Sequence, residues 1–194
     1  MKTLKDIEKE ISACKKCGLC EGRTNTVPGE GSDSSEILFI GEGPGKDEDL
    51  QGRPFVGAAG RLLTELIESI GITREDVFIA NVVKCRPPSN RDPLVDEIKT
   101  CWSYLEAQVK ALKPILIVTL GRHSMGRFLD GLKISEVHGE SKTASGIWQD
   151  VQTYLPLYHP AAALYDPRKK QVLLDDFAKI PLILKKLKKE NDPS

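Results

Sequence analysis

The sequence ILFIGEGPG, residues 37–45, decides the fold. Its first four residues form a short apolar run that is typical of a buried strand, whereas the apolar spacing over residues 62–70 is that of an amphipathic helix. The glycine- and proline-rich segment between them is therefore predicted to be a loop at the C-terminal end of a strand, where open α/β sheets bind ligands. Glycines let a ligand approach the backbone closely, although a purely structural loop fits the same pattern. The segment lacks the Gly-Lys-Ser/Thr ending of a phosphate-binding loop.

Length and composition indicate one globular domain over residues 1–194. The chain is 40% hydrophobic and 29% charged, which is the composition of a soluble protein. No apolar stretch is long enough to cross a membrane, and the N-terminus lacks the apolar core of a signal peptide. We therefore expect a cytoplasmic protein. A formal net charge of zero does not by itself point to nucleic acid, although Lys84, Arg86 and Arg91 form a basic cluster in the sequence.

Apolar runs and helical patterns alternate along the chain. The runs predicted to be strands are residues 36–41, 77–83, 114–120 and 151–158. The segments predicted to be helices are residues 2–13, 58–69, 93–112, 123–129 and 169–188, and residues 131–150 fit a hairpin. Asp92 is the expected N-cap of the third helix, and Pro181 should kink the last one. Strands separated by helices predict a three-layer α/β/α sandwich with a central, mainly parallel four-stranded sheet.

Polar or glycine-rich residues lie at the ends of three predicted strands. The glycine loop follows the first strand, Asn81 lies near the end of the second, and His159 directly follows the fourth. Because parallel strands end at the same edge of a sheet, all three can converge on one pocket. Taken singly, Asn81 could be a structural tie and His159 an ordinary surface or core histidine. Their shared placement favours a functional site.

The five cysteines indicate a metal site rather than disulfides. An odd number in an intracellular chain argues against a disulfide framework. Cys14-x-x-Cys17 is a recurrent metal half-site, and Cys85 and Cys101 can supply the other half. Four thiolates suit either zinc or an iron–sulfur cluster, and incidental free cysteines are the alternative.

In combination these motifs resemble the family-4 uracil-DNA glycosylases, the iron–sulfur members of that superfamily. The resemblance runs from Cys14 to about Pro167. The matching motifs are Cys14-x-x-Cys17, Gly41-Glu42-Gly43-Pro44-Gly45 with Glu48-Asp49, Gly52-x-Pro54-Phe55-Val56-Gly57-x-Ala59-Gly60, Asn81-x-x-Lys84-Cys85-Arg86-Pro87-Pro88, and His159-Pro160. An iron–sulfur electron carrier would explain the cysteines but not Phe55, Asn81 and His159.

The resemblance implies a [4Fe–4S] cluster held by Cys14, Cys17, Cys85 and Cys101. The implied role is structural, because the cluster would join an N-terminal segment, about residues 1–35, to the loop after the second strand. Cys20 is then left over. A ferredoxin-like triplet of Cys14, Cys17 and Cys20 ranks second.

The implied function is DNA repair by a monofunctional uracil-DNA glycosylase, which flips uracil out of DNA and hydrolyses its N-glycosidic bond, leaving free uracil and an abasic site. Phe55 would stack on the flipped base, and Asn81 would pair with N3–H and O4 of uracil. His159 would donate a hydrogen bond to O2, where negative charge develops, and backbone N–H groups of Gly41–Gly43 would line the base. A water molecule would then attack the sugar.

The glycine loop departs from the classical uracil-DNA glycosylases at two positions, and Gly43 is usual for family 4. Gly43 replaces their water-activating Asp, and Gly45 replaces their Tyr that excludes the methyl group of thymine. The sequence leaves Glu42, Glu48 and Asp49 as nearby carboxylates. We take Glu42 as the predicted catalytic carboxylate and expect the Glu48 side chain to exclude thymine.

The expected partner is uracil-containing DNA, bound by a monomer. Leu164 or Tyr165 would enter the minor groove and fill the gap left by the flipped base. Arg168, Lys169 and Arg86 would contact phosphates. A turn into the last helix is the alternative interpretation of residues 161–168. Contact with a polymerase clamp cannot be read from the sequence.

Overall fold

The computed structural model describes residues 2–191, and a mixed sheet of six strands forms its centre. The strands are β1 (Glu30–Gly31), β2 (Ile37–Gly41), β3 (Phe78–Asn81), β4 (Leu116–Leu120), β5 (Lys142–Ser145) and β6 (Val151–Leu157). The α-helices are α1 (Leu4–Ser12), α2 (Leu19–Gly22), α3 (Lys46–Gln51), α4 (Ala58–Glu68), α5 (Val95–Leu112), α6 (Arg122–Met125), α7 (Ile134–Val137), α8 (Ala161–Tyr165), α9 (Arg168–Phe177) and α10 (Ile180–Asn191). Met1 and residues 192–194, which the one-domain prediction also covers, lie outside the described residues.

The sheet has the strand order β1-β3-β2-β4-β6-β5. The four central strands, β3, β2, β4 and β6, are parallel and correspond to the four predicted strands. The edge strands β1 and β5 run antiparallel to their neighbours. The predicted count of four is therefore too low, because Glu30–Gly31 is too short to give an alternating pattern and β5 lies in the segment predicted only as a hairpin.

Two hydrophobic clusters cover the two faces of the sheet, which confirms the three-layer prediction. Side chains alternate along β2, so that Leu38 and Ile40 face one cluster while Ile37 and Phe39 face the other. Helices α1 and α5 pack on the first face, and α4, α9 and α10 pack on the second. All five residues of β2 are buried, as expected for a central parallel strand.

Two predicted helix boundaries are wrong for local reasons. Helix α5 begins at Val95 rather than at Pro93, because the Glu97 carboxylate accepts a hydrogen bond from the Leu94 N–H at 2.7 Å and caps the helix there. The predicted last helix is two helices, with Pro181 in the first turn of α10, where a proline is tolerated. The segment after His159 contains the short helix α8.

No helix within residues 2–191 combines the length and the apolar character that crossing a membrane requires.

Candidate active site

A pocket of about 360 Å³ opens at the C-terminal ends of β2, β3 and β6. The pocket lining includes Glu42, Gly43, Phe55, Asn81 and His159. The structure therefore brings together five of the six residues predicted to bind the base. The sixth, Gly41, lies beneath the pocket, and a Cβ atom there would collide with Asn81 Oδ1 and come within 2.7 Å of the Phe55 ring. Only glycine permits this close approach.

Glu48 holds the glycine loop in shape. One carboxylate oxygen accepts hydrogen bonds from the N–H groups of Val56 (2.9 Å) and Gly57 (3.0 Å), and the other accepts from Gly45 at 3.1 Å. This carboxylate thus joins the start of α3 to the segment that carries Phe55. Because both oxygens are occupied, Glu48 is a fixed wall of the pocket rather than a free base.

Asp49 is also committed to structure. Its carboxylate is buried and accepts hydrogen bonds from the backbone N–H groups of Thr24 and Asn25, at 2.9 and 3.3 Å. It points towards the N-terminal segment, and it is absent from the pocket lining. Of the three carboxylates near the loop, only Glu42 is left with oxygens available to the pocket.

Asn81 carries an unsatisfied polar atom. Its side chain is 2% exposed, and its Oδ1 atom has no hydrogen-bond partner among the described residues. A buried oxygen without a partner costs about 1–3 kcal/mol. The backbone carbonyl of Asn81, in contrast, accepts a hydrogen bond from Lys84 Nζ at 2.7 Å. The residue is held firmly while its side-chain oxygen is left free, which is the arrangement expected of a ligand-reading group.

Lys84 is one of the site residues whose role the sequence did not reveal. Its side chain is 1% exposed, so it does not belong to a surface basic cluster with Arg86. The ammonium donates to the Asn81 carbonyl and to Gln108 Oε1 (2.6 Å), and burial lowers the pKa of Lys84 to about 8. Its position next to Cys85 in a loop gave no signal of burial.

Phe55 is held in an unfavourable backbone conformation. Its φ angle is +51°, in the left-handed region that bulky residues avoid. Arg74, a second residue that sequence reasoning missed, donates hydrogen bonds to the carbonyls of Pro54 and Phe55. Gly60 packs against the Phe55 carbonyl so closely that any Cβ would clash. These contacts present the buried Phe55 ring to the pocket, where it stacks on His159 at 5.5 Å.

His159 is neutral at physiological pH. Burial lowers its pKa to about 4. Its Nδ1 atom accepts a hydrogen bond from the Ala161 N–H at 3.1 Å, so the proton of the neutral ring is on Nε2. The histidine can therefore donate one hydrogen bond into the pocket.

Glu42 lies at the edge of the pocket, and burial raises its pKa. The Nδ1 atom of His123 lies 3.5 Å from Glu42 Oε1, and the Nε2 atom of His123 lies 3.4 Å from Asp92 Oδ2. Neither His123 nor Asp92 was predicted to belong to the site, because they come from separate segments with no shared motif.

The five cysteines line one small cavity between α1, α2, α5 and the loop after β3, and none forms a disulfide. Arg23 donates a hydrogen bond to Cys85 Sγ at 3.0 Å, and the Lys84 N–H donates to Cys101 Sγ at 3.3 Å. Burial raises the pKa of Cys101 to about 11, and the nearby Lys84 opposes this shift. Sulfur donors, N–H groups aimed at sulfur and a cavity shared by distant segments all fit a metal centre. Position alone does not separate Cys20 from the four predicted ligands.

The residues predicted to contact DNA lie on the surface. Leu164 and Tyr165 are 50% and 90% exposed on α8, which begins beside the pocket at Ala161. Arg168 is exposed and paired with Asp166 at 2.9 Å, whereas Lys169 lies over the Tyr158 ring at 3.6 Å. Arg86 donates a hydrogen bond to Asn90 at 2.7 Å.

Comparison with known proteins gives consistent matches over most of the chain. The sequence profile of the Uracil DNA glycosylase superfamily matches residues 28–180. The type-4 uracil-DNA glycosylase of Sulfurisphaera tokodaii is 50% identical over 186 residues, which cover 93% of this chain and 84% of that protein. The type-4 enzyme of Archaeoglobus fulgidus is 48% identical, with 93% and 92% covered. The type-4 enzyme of Thermotoga maritima is 41% identical, with 93% and 94% covered.

Proposed function

This chain belongs to the uracil-DNA glycosylase superfamily, in its type-4 branch, and from this premise we propose that it excises uracil from DNA by hydrolysing the N-glycosidic bond. The observation that carries the proposal is the unpaired Oδ1 atom of Asn81 in a pocket that also presents Phe55 and His159. The products are free uracil and an abasic site. The reaction belongs to base excision repair.

Asn81 provides the selection between uracil and cytosine. Its Oδ1 atom can accept a hydrogen bond from uracil N3–H, and its amide can donate to O4. Cytosine presents an acceptor and a donor at the same positions, so both pairs would be mismatched. In a pocket where Asn81 is 2% exposed, a mismatch leaves buried polar groups unpaired, which is the strongest form of rejection.

Phe55 and His159 have different roles in the reaction. The Phe55 ring holds the flipped base by stacking, which helps to offset the cost of roughly a few kcal/mol for unstacking the nucleotide. Neutral His159 donates its Nε2–H to uracil O2, where negative charge grows as the bond breaks. A preorganised donor aimed at developing charge in a dry pocket is usually the largest single contribution to catalysis.

Glu42 is the proposed carboxylate for the attacking water. Glu48 and Asp49 are excluded from this role by their hydrogen bonds to backbone N–H groups. Glu42 lines the pocket, and no side chain stands at Gly43 to take its place. We assign Glu48 to thymine exclusion, because a carboxylate fixed by three N–H groups cannot move aside for a methyl group.

Cys14, Cys17, Cys85 and Cys101 are the proposed ligands of a [4Fe–4S] cluster. When bound, the cluster supplies a rigid crosslink between the N-terminal segment and the loop after β3, and the excision reaction needs no redox step. Arg23 joins the same two segments, because it donates hydrogen bonds to Cys85 Sγ and to the carbonyl of Cys14. Cys20 is not required as a ligand in this assignment.

The DNA-binding surface is assigned to the rim of the pocket. Leu164 and Tyr165 would occupy the space that the flipped nucleotide leaves, and Arg86, Arg168 and Lys169 would contact phosphates. We propose that the protein acts as a monomer in the cytoplasm.

A uracil-release assay tests the proposal. Oligonucleotides with uracil opposite guanine, uracil opposite adenine, single-stranded uracil and hypoxanthine should be compared with matched cytosine and thymine controls. Release of uracil alone, with cytosine and thymine untouched, is the expected result. Absence of uracil release by a protein that carries its metal centre would refute the function.

A further inference from the structure

His123 lies between two carboxylates at the edge of the pocket, and the mechanism above assigns it no role. Its Nδ1 atom lies 3.5 Å from Glu42 Oε1, and its Nε2 atom lies 3.4 Å from Asp92 Oδ2. The three residues come from the loop after β2, the loop before α5 and the first turn of α6. Three separate segments of the chain therefore meet at the Glu42 carboxylate.

The backbone of α6 is anchored next to Glu42. The hydroxyl of Ser124, which is fully buried, donates a hydrogen bond to the Ile40 carbonyl at 2.6 Å, and the Gly121 N–H donates to the Leu157 carbonyl at 2.8 Å. These bonds attach α6 to the ends of β2 and β6. The imidazole of His123 is therefore carried on a fixed support.

The hydrogen bonds around the ring define its direction. Arg122 Nε donates to His123 Nε2 at 3.1 Å, so Nε2 is an acceptor in the neutral ring and the Nδ1 proton faces Glu42. The groups that act on the Glu42 carboxylate are His123, Asp92, Arg122 and Arg127. His123, Arg122 and Arg127 favour the ionised carboxylate, whereas Asp92 and burial oppose it.

Folding stability does not account for the arrangement. The side chains of Glu42, His123 and Asp92 are 25%, 34% and 68% exposed. Ion pairs with this exposure contribute about 0–1 kcal/mol. Catalytic hydrogen bonds in a free enzyme are often long and tighten only when substrate binds, which fits the 3.5 Å separation.

We propose that His123, held by Arg122, is the positioning residue that orients Glu42 towards the attacking water. This inference rests on the proposed function. As the bond between C1′ and the uracil nitrogen breaks, its electron pair leaves with the base. The water oxygen forms the new bond to C1′, and one proton of the water passes to Glu42. Because Gly43 supplies no carboxylate, the side chain one residue earlier needs an external partner to set its direction.

The test is the pH dependence of single-turnover uracil excision by the metal-loaded protein. We expect His123→Ala to lower the rate by about 10–100-fold, since a misdirected water is poorly aligned for attack. The acidic limb of the profile should move to higher pH, because Glu42 loses a partner that favours its ionised form. Affinity for uracil-containing DNA and the thermal midpoint should stay at wild-type values.

Two further variants separate positioning from a general effect. His123→Asn keeps an N–H donor near the Nδ1 position, so it should recover part of the rate and of the pH profile. In a Glu42→Gln background, His123→Ala should cause no further loss, because His123 acts through Glu42. His138→Ala is the matched control: His138 also pairs with a carboxylate, Asp176, at 2.7 Å, but it is not part of the pocket lining. It should leave the acidic limb in place.

Three outcomes would overturn the inference. The first is a His123→Ala enzyme with the wild-type rate and profile, and the second is a loss that adds fully to that of Glu42→Gln. The third is a wild-type enzyme that EDTA inactivates and Mg²⁺ restores, because Glu42, Asp92 and His123 would then be cation ligands. If the wild type released no uracil at all, the proposed function would fall as well, whereas an active wild type with an unaffected His123→Ala enzyme removes only the role of His123.

Discussion

Replacing Asn81 with alanine should abolish most of the activity without reducing stability. The side chain of Asn81 is buried, and its Oδ1 atom has no hydrogen-bond partner within residues 2–191. In the complex with uracil it would make two hydrogen bonds in a dry site. At about 1–3 kcal/mol each, their loss raises the barrier by about 2–6 kcal/mol, or roughly 10–10⁴-fold in rate.

Asn81→Ala should not lower the free energy of unfolding, although it lowers the activity. Removing a buried oxygen that lacks a partner relieves about 1–3 kcal/mol, which offsets the packing lost with the side chain. We therefore expect the free energy of unfolding of Asn81→Ala to equal or exceed that of the wild type. Single-turnover excision and urea denaturation measure the two effects on one preparation.

Asn25 offers the matched control for this prediction. Its amide donates hydrogen bonds to the carbonyls of Asp49 and Leu50 at 2.8 and 3.1 Å, and it lies outside the pocket lining. Asn25→Ala should lose about 0.5–1.5 kcal/mol of stability and keep the selectivity for uracil. An Asn81→Ala enzyme that excised uracil at the wild-type rate, or lost as much stability as Asn25→Ala, would refute the reasoning.

Three further predictions concern other parts of the site. Burial lowers the pKa of His159 to about 4, so its neutral form predominates at all higher pH values. Protonation of His159 should therefore reduce the excision rate only as the pH falls towards 4. The His159→Gln enzyme keeps an N–H donor but does not titrate there, so its rate should not show this decrease. Gly41→Ala places a methyl group against Asn81 Oδ1 and the Phe55 ring. It should reduce excision at least as much as Asn81→Ala and also destabilise the fold by about 1–3 kcal/mol. A Gly41→Ala enzyme with wild-type activity would contradict the close packing of Gly41 beneath the pocket. Cys85→Ser should lose the visible absorbance of the iron–sulfur centre while Cys20→Ser keeps it, and the reverse pattern in iron content and spectra would favour the triplet that includes Cys20.

The convergence of Asn81 and His159 was predictable because parallel topology alone brings strand ends to one edge. The support of Phe55 was not. A left-handed φ at a phenylalanine has no local sequence signal, and its stabilising partner Arg74 comes from a separate turn after α4. Tertiary contacts override local preference here, and such contacts cannot be read from spacing.

The roles of the three carboxylates near the glycine loop also depend on tertiary contacts that the sequence does not reveal. Glu42, Glu48 and Asp49 lie within eight residues, and the sequence offered no ground for separating their roles. The distinction depends on which backbone N–H groups face each carboxylate, and the groups that face Glu48 and Asp49 include residues up to 25 positions away. Glu42 was therefore predicted from the sequence without such a ground, whereas in the structure its role follows by elimination of Glu48 and Asp49.

Two departures from ordinary folding rules lie at the pocket. Phe55 occupies a backbone region that costs about 1–3 kcal/mol, and Asn81 leaves a buried oxygen unpaired at a similar cost. A sequence selected only for stability would remove both, for example by glycine at 55 and an apolar residue at 81. The fold tolerates them because Glu48, Arg74 and Lys84 fix the surrounding backbone through hydrogen bonds that are independent of any ligand. The ring and the amide are therefore already in position before a base enters, and the binding energy of uracil need not be spent on ordering them.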